Sequence, residues 1–162
     1  MATYSGFTEI VQYIENSTWA MSGATRVGHR QLNSFGMGEE DDQSISGSDL
    51  YPRAFLELPI VGNYISPTII QWDFALVVTD IELRGRSDEE AKINLCWKIV
   101  NDLIKKFGQE SYFSNLTFQR DSVRILSLTQ YSDDLCAGWR FEFSFNQTLT
   151  IEVCNLSDDF IL

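Results

Sequence analysis

Residues 68–108, TIIQWDFALVVTDIELRGRSDEEAKINLCWKIVNDLIKKFG, place a strand pattern directly before a helix pattern, and that pairing decides the fold class. Over 68–83, Ile70, Trp72, Phe74, Leu76 and Val78 recur at every second position and share one face of a strand. The other face mixes Ile69, Gln71, Asp73, Ala75, Val77 and Thr79, which predicts partial burial. Over 88–107 the period lengthens to that of a helix, with Ile93, Cys96, Trp97, Val100, Leu103, Ile104 and Phe107 in one apolar stripe. Ser87 stands at the N-cap position, and Glu90 three residues on completes a capping box. Asp88, Glu89 and Glu90 oppose the positive end of the helix dipole, Lys105 and Lys106 its negative end, and Gly108 supplies a stop.

On the C-terminal side, 116–119 and 123–129 read as two strands broken by Arg120-Asp121-Ser122. The closing strand, 139–153, alternates Trp139, Phe141, Phe143, Phe145, Leu149, Ile151 and Val153, interrupted by Gln147, against Arg140, Glu142, Ser144, Asn146, Thr148, Thr150 and Glu152. A strand of that length runs about 50 Å, several times the usual, so its end is expected to pair with a neighbouring chain. On the N-terminal side, 54–60 alternates as a short strand, and Phe7, Ile10, Val11 and Ile14 predict a short helix over 7–16. Residues 17–50 are weakly periodic and glycine-rich, so they either hide short strands or form an arm that orders against another subunit. This order predicts a single α+β domain, 1–162, in which an antiparallel sheet carries helices on one face. The arm at 17–50 and a C-terminal tail at 156–162 complete it.

The chain has 162 residues, 44% of them hydrophobic, and 12 basic against 23 acidic residues give a net charge of −11. None of the segments 1–50, 51–110 and 111–162 has a net positive charge, which argues against binding nucleic acid through its phosphates. An acidic wall instead repels DNA and keeps it from sticking. No apolar run approaches the ~18–20 residues of a membrane span, and MATYSGFTEI lacks the basic start and apolar core of a signal peptide. Synthesis in the cytoplasm and no membrane partner are expected. Cys96, Cys136 and Cys154 form no CxxC pair and read as reduced thiols. The single histidine, His29, has no GxSxG elbow to serve, and His and Cys are too scattered for a zinc site. Gly36-x-Gly38 leads into Glu39-Glu40-Asp41-Asp42, carboxylates that would repel a phosphate. No catalytic residue, metal or cofactor is expected.

His29, Asn33-Ser34-Phe35 with Gly38, Tyr51-Pro52, Trp72 and Phe74, Thr79-Asp80-Ile81 and Leu135-Cys136-Ala137-Gly138-Trp139 follow one another over 25–155. In this the chain resembles the small tail-completion (tail-terminator) proteins of tailed bacteriophages, above all those of crAss-like phages of Bacteroidetes. The resemblance implies a non-enzymatic virion protein that forms a homo-oligomeric ring, of six or twelve copies, between the portal or connector and the tail. Double-stranded DNA would pass through it without specific binding. It places His29, Phe35, Tyr51 and Pro52 at subunit contacts, with Phe35 and Tyr51-Pro52 alternatively anchoring a loop on the core, and Glu39, Glu40, Asp41 and Asp42 along the rim or lumen. Outside the resemblance, the apolar end with Phe160 and Leu162 reads as a docking peptide at a subunit contact or as a frayed tail. Two other readings stand beside it. One is a small ligand-binding or enzymatic α+β domain with a pocket between helix 88–107 and the sheet, lined by Trp72, Trp97 and Trp139. The other is a subunit of a contractile injection system.

Overall fold

The computed structural model describes residues 7–22, 32–39, 51–81, 86–109, 115–131 and 136–149. In chain order they form α1 (Phe7–Ser22), β1 (Ser34–Gly38), β2 (Arg53–Glu57), β3 (Val61–Ser66), β4 (Ile69–Ile81), α2 (Arg86–Gln109), β5 (Leu116–Tyr131) and β6 (Cys136–Thr148). The sheet runs β1-β2-β4-β6-β5, with β3 also on β4. β4 and β6, the two strands of strongest alternation, are its centre and pair along their whole lengths, from Ile69↔Thr148 to Ile81↔Cys136. β2 and β3 lie end to end on the other edge of β4, at Thr79–Leu76 and Asp73–Ile69 respectively. Pro59, which has no N–H to give to a ladder, stands between them.

Strand alternation separates the two faces of this sheet. Phe74, Leu76 and Val78 of β4 and Phe141, Phe143 and Phe145 of β6 are buried against Ile10, Tyr13 and Ile14 of α1 and Ile99, Val100, Leu103 and Phe107 of α2. Phe143 stacks on Phe141 with centroids 4.4 Å apart and on Phe74 at 5.5 Å, and Phe107 meets it from the helix at 5.5 Å. Such aromatic pairs each add ~0.5–1.5 kcal/mol beyond the area they bury. At the upper end of β4, Asp80 is fully buried and paired with Lys92 of α2 at 3.2 Å, and its Oδ1 also accepts the Ile81 N–H. Beside it Gly138 is obligatory: a Cβ there would lie 2.0 Å from the Val78 carbonyl oxygen, on the partner strand.

The α+β class and the placement of both helices on one face are as the sequence predicts; the details differ as follows. The sheet is mixed, because β1 runs parallel to β2. Residues 17–22, expected in the arm, continue α1: Thr18 Oγ1 donates to the Ile14 carbonyl at 2.7 Å and Ser22 Oγ to that of Trp19 at 2.9 Å, so these two hydroxyls are satisfied within the helix on its buried side. Ser34–Gly38 is a strand, one of the short strands expected on the first of the two readings of 17–50. Finally, 116–131 is one strand whose register shifts between Gln119 and Arg124, so Arg120-Asp121-Ser122 is a bulge and not a break. α2 opens at Arg86, ahead of Ser87, and the side chains of 86–88 lie outside the described residues. The expected continuation of β6 over 150–153, and the tail 156–162, lie outside them too.

Candidate functional site

The sheet face away from the helices carries Glu57 on β2, Asp73 and Ala75 on β4, and Arg140, Glu142 and Ser144 on β6. Cross-strand pairing brings them together: Asp73 is opposite Ser144, Ala75 opposite Glu142 and Val77 opposite Arg140. Ala75 is too small to fill the space between its neighbours, and a concavity of about 410 Å³ opens over it. Leu58, Pro59 and Val61 form one wall where β2 gives way to β3, and Ser122 of the β5 bulge forms the other.

The charged groups of this hollow are bound to each other. Arg140 reaches across β4 to Glu57, donating from Nε at 3.2 Å and from Nη2 at 3.0 Å to Oε2, and its Nη1 donates to Glu142 Oε1. Arg124 stands at the rim, 3.8 Å from Glu142 Oε2. Burial acts against the Arg140 charge, but the hydrogen bonds to Glu57 and Glu142 outweigh it and hold its pKa above the ordinary arginine range. Lower down, Asp73 Oδ1 accepts from Ser144 Oγ at 2.5 Å and from Gln71 Nε2 at 3.0 Å. Ser122 Oγ takes the Ser144 N–H at 2.9 Å and donates to the Gln119 carbonyl at 2.5 Å, which pins the bulge to β6. The arrangement is a preformed polar lattice with three carboxylates against Arg140 and the rim arginine, suited to contact a partner surface. No histidine lies among the described residues to activate either serine, and no group of three or more His, Cys, Asp and Glu there is placed to hold a metal ion.

The residues singled out from the sequence do not converge on this hollow. Tyr51 is 2% exposed and Pro52 is buried, and their carbonyls accept from the Asn33 side chain at 2.6 Å and the Asn33 N–H at 2.8 Å. They anchor the entry to β2 within the chain. Phe35 is half-buried on β1 and packs against the core from its edge. Glu39 is exposed. His29, Glu40, Asp41, Asp42, Phe160 and Leu162 lie outside the described residues. Of the tryptophans, Trp97 and Trp139 pack on each other at 5.1 Å and Trp72 on Phe7 at 5.3 Å, all against the core. Glu57 and Arg140 were missed because 83 positions separate them. The available signal was the set Arg140, Glu142 and Ser144 on the outward face of an aromatic strand.

Neither a protein-family model nor a curated protein matches the chain. Function is therefore argued from the fold, the hollow and the strand edges.

Proposed function

We propose that this chain is a non-enzymatic subunit of a ring at the head–tail junction of a tailed bacteriophage, of the tail-terminator or tail-completion kind. The observation that carries the reading is the one-sided sheet. Among the described residues both helices cover one face and no element lies on the other face or along the outer strand edges, which suits contact with neighbours. Two of the motifs that carry the resemblance also meet in space: Thr79, Asp80 and Ile81 pair with Gly138, Ala137 and Cys136. The net charge of −11 suits a conduit, since a wall without basic groups lets duplex DNA move without arresting it.

The test is quantitative mass spectrometry of density-purified particles from the source culture, counting this chain against the portal protein. A ratio that gives six or twelve copies per portal complex supports a junction ring. Absence from particles while the protein is abundant in the lysate overturns the reading. A second reading, a small ligand-binding domain, rests on the hollow of about 410 Å³ over Ala75, and that outcome would favour it.

A further inference from the structure

The two long strands, β4 and β6, are paired on both sides within the described sheet and offer no edge. The open edges of the described sheet belong to β1, β3 and β5. Soluble proteins guard such edges with charges, because the unpaired N–H and C=O groups are a template for another strand. Here two of them are unguarded. From Leu58 to Trp72, which includes all of β3, no residue is charged, and Val61, Tyr64 and Ile65 are 47%, 69% and 54% exposed. From Ile125 to Ser132, which includes the second half of β5, no residue is charged, and Ile125 and Leu126 are 40% and 42% exposed. β1 differs, because it leads straight into Glu39-Glu40-Asp41-Asp42.

We infer that β3 of one copy pairs with the Ile125–Tyr131 half of β5 of a second copy, continuing the sheet from subunit to subunit. Charge argues for a second copy as the occupant. Two chains of −11 repel, and the repulsion is least where both surfaces are charge-free. Strand direction agrees: β3, β4, β6 and β5 alternate in direction, so β3 and β5 run opposite ways. A copy set beside the first without being turned over, and shifted along the strands so that its Ile125–Tyr131 half lies level with β3, therefore meets it antiparallel. The contact joins two different patches, so it is head-to-tail and propagates into a ring or a filament. For closure into a ring of fixed number it rests on the head–tail reading; for the contact itself it does not.

The test is cross-linking of the full chain in a Cys154→Ser background, since Cys96 and Cys136 are buried. Asn63→Cys and Ser127→Cys, both at exposed positions, are purified, concentrated and treated with a short bis-maleimide, alone, mixed, and combined in one chain. The expected result is a dimer in the mixture that neither variant forms alone, and a ladder of higher species from the combined variant. Adding Ile65→Lys, which places an unpartnered charge in the joint, is expected to lower the yield about tenfold or more while leaving the thermal midpoint unchanged. A dimer from Asn63→Cys alone, or no product above background, overturns the inference. Six or twelve copies in particles without the β3–β5 product would overturn the pairing and leave the ring; the ladder with no chain in particles would sustain the pairing and remove the head–tail reading.

Discussion

Arg140 and Glu57 are joined across an intervening strand: two guanidinium nitrogens of β6 donate to one carboxylate of β2, at 3.2 and 3.0 Å, over Ala75 of β4. The bond ties three strands together on the face that no helix covers. Arg140→Met leaves Glu57 and Glu142 facing each other without their shared cation and is expected to cost ~2 kcal/mol in urea unfolding. That is below the ~3–5 kcal/mol of breaking a fully buried pair, because the two side chains are 29% and 14% exposed. Glu57→Gln, which leaves Arg140 with Glu142, is expected to cost about half as much.

The pH dependence of this pair follows from the direction of the Arg140 shift. A group whose pKa is raised in the folded state contributes in full below its unfolded pKa, and the contribution is lost only as pH rises through the folded value. Arg140 is raised above an already high range. The stability difference between the parent chain and Arg140→Met is therefore expected to stay constant between about pH 7 and about pH 10, measured by urea titration at each pH. A difference that shrinks across that window would refute the assignment.

Gly138→Ala places a methyl group 2.0 Å from the Val78 carbonyl oxygen and 2.8 Å from the Thr79 Cα. Both are backbone atoms of the central strand, which cannot swing aside as a side chain does. The expected loss is about 3 kcal/mol, with a fall in the thermal midpoint. Gly62→Ala, where the close neighbours are ring atoms of Trp72, is expected to cost less.

The elements with clean periods were legible in the sequence, and those without them were not. β4, β6 and α2 each repeat an apolar position often enough to reveal their face, and the bounds of β4 and α2 and the start of β6 agree to within a few residues. β3 shows no alternation because all its residues but Ser66 are exposed, so no buried face imprints a pattern. β1 has two glycines in five residues and takes its order from β2. The hollow was legible only in half. Arg140, Glu142 and Ser144 stood out on one outward face, but their partners Glu57 and Asp73 come from strands brought beside them by the fold.

Lys92 and Asp80 give a different kind of expectation, because Asp80 is fully buried. Lys92→Met removes a cation from beside a buried carboxylate and is expected to cost ~2–4 kcal/mol, moderated by the Ile81 N–H that Asp80 keeps. Adding Asp80→Asn removes the stranded charge. The double variant is therefore expected to recover a good part of the loss, and a double-mutant cycle in denaturant measures the coupling.

Trp72 links the core to the edge strand proposed as a subunit contact. Its indole N–H donates to Gln147 Oε1 at 2.8 Å, and its ring lies within 3 Å of where a Gly62 side chain would begin. Gln147, the polar interruption in the inward face of β6, is 1% exposed and its Nε2 has no partner among the described residues, so the indole bond is what offsets its burial. Trp72→Phe is expected to strand that carbonyl at a cost of ~1–3 kcal/mol. Because Gly62 pairs with Trp72, the loss should fall first on β3. Amide exchange is expected to quicken over Val61–Ser66 while Phe141–Phe145 stays protected. Uniform acceleration across the sheet would mean that Trp72 supports the core alone and has no particular hold on the edge.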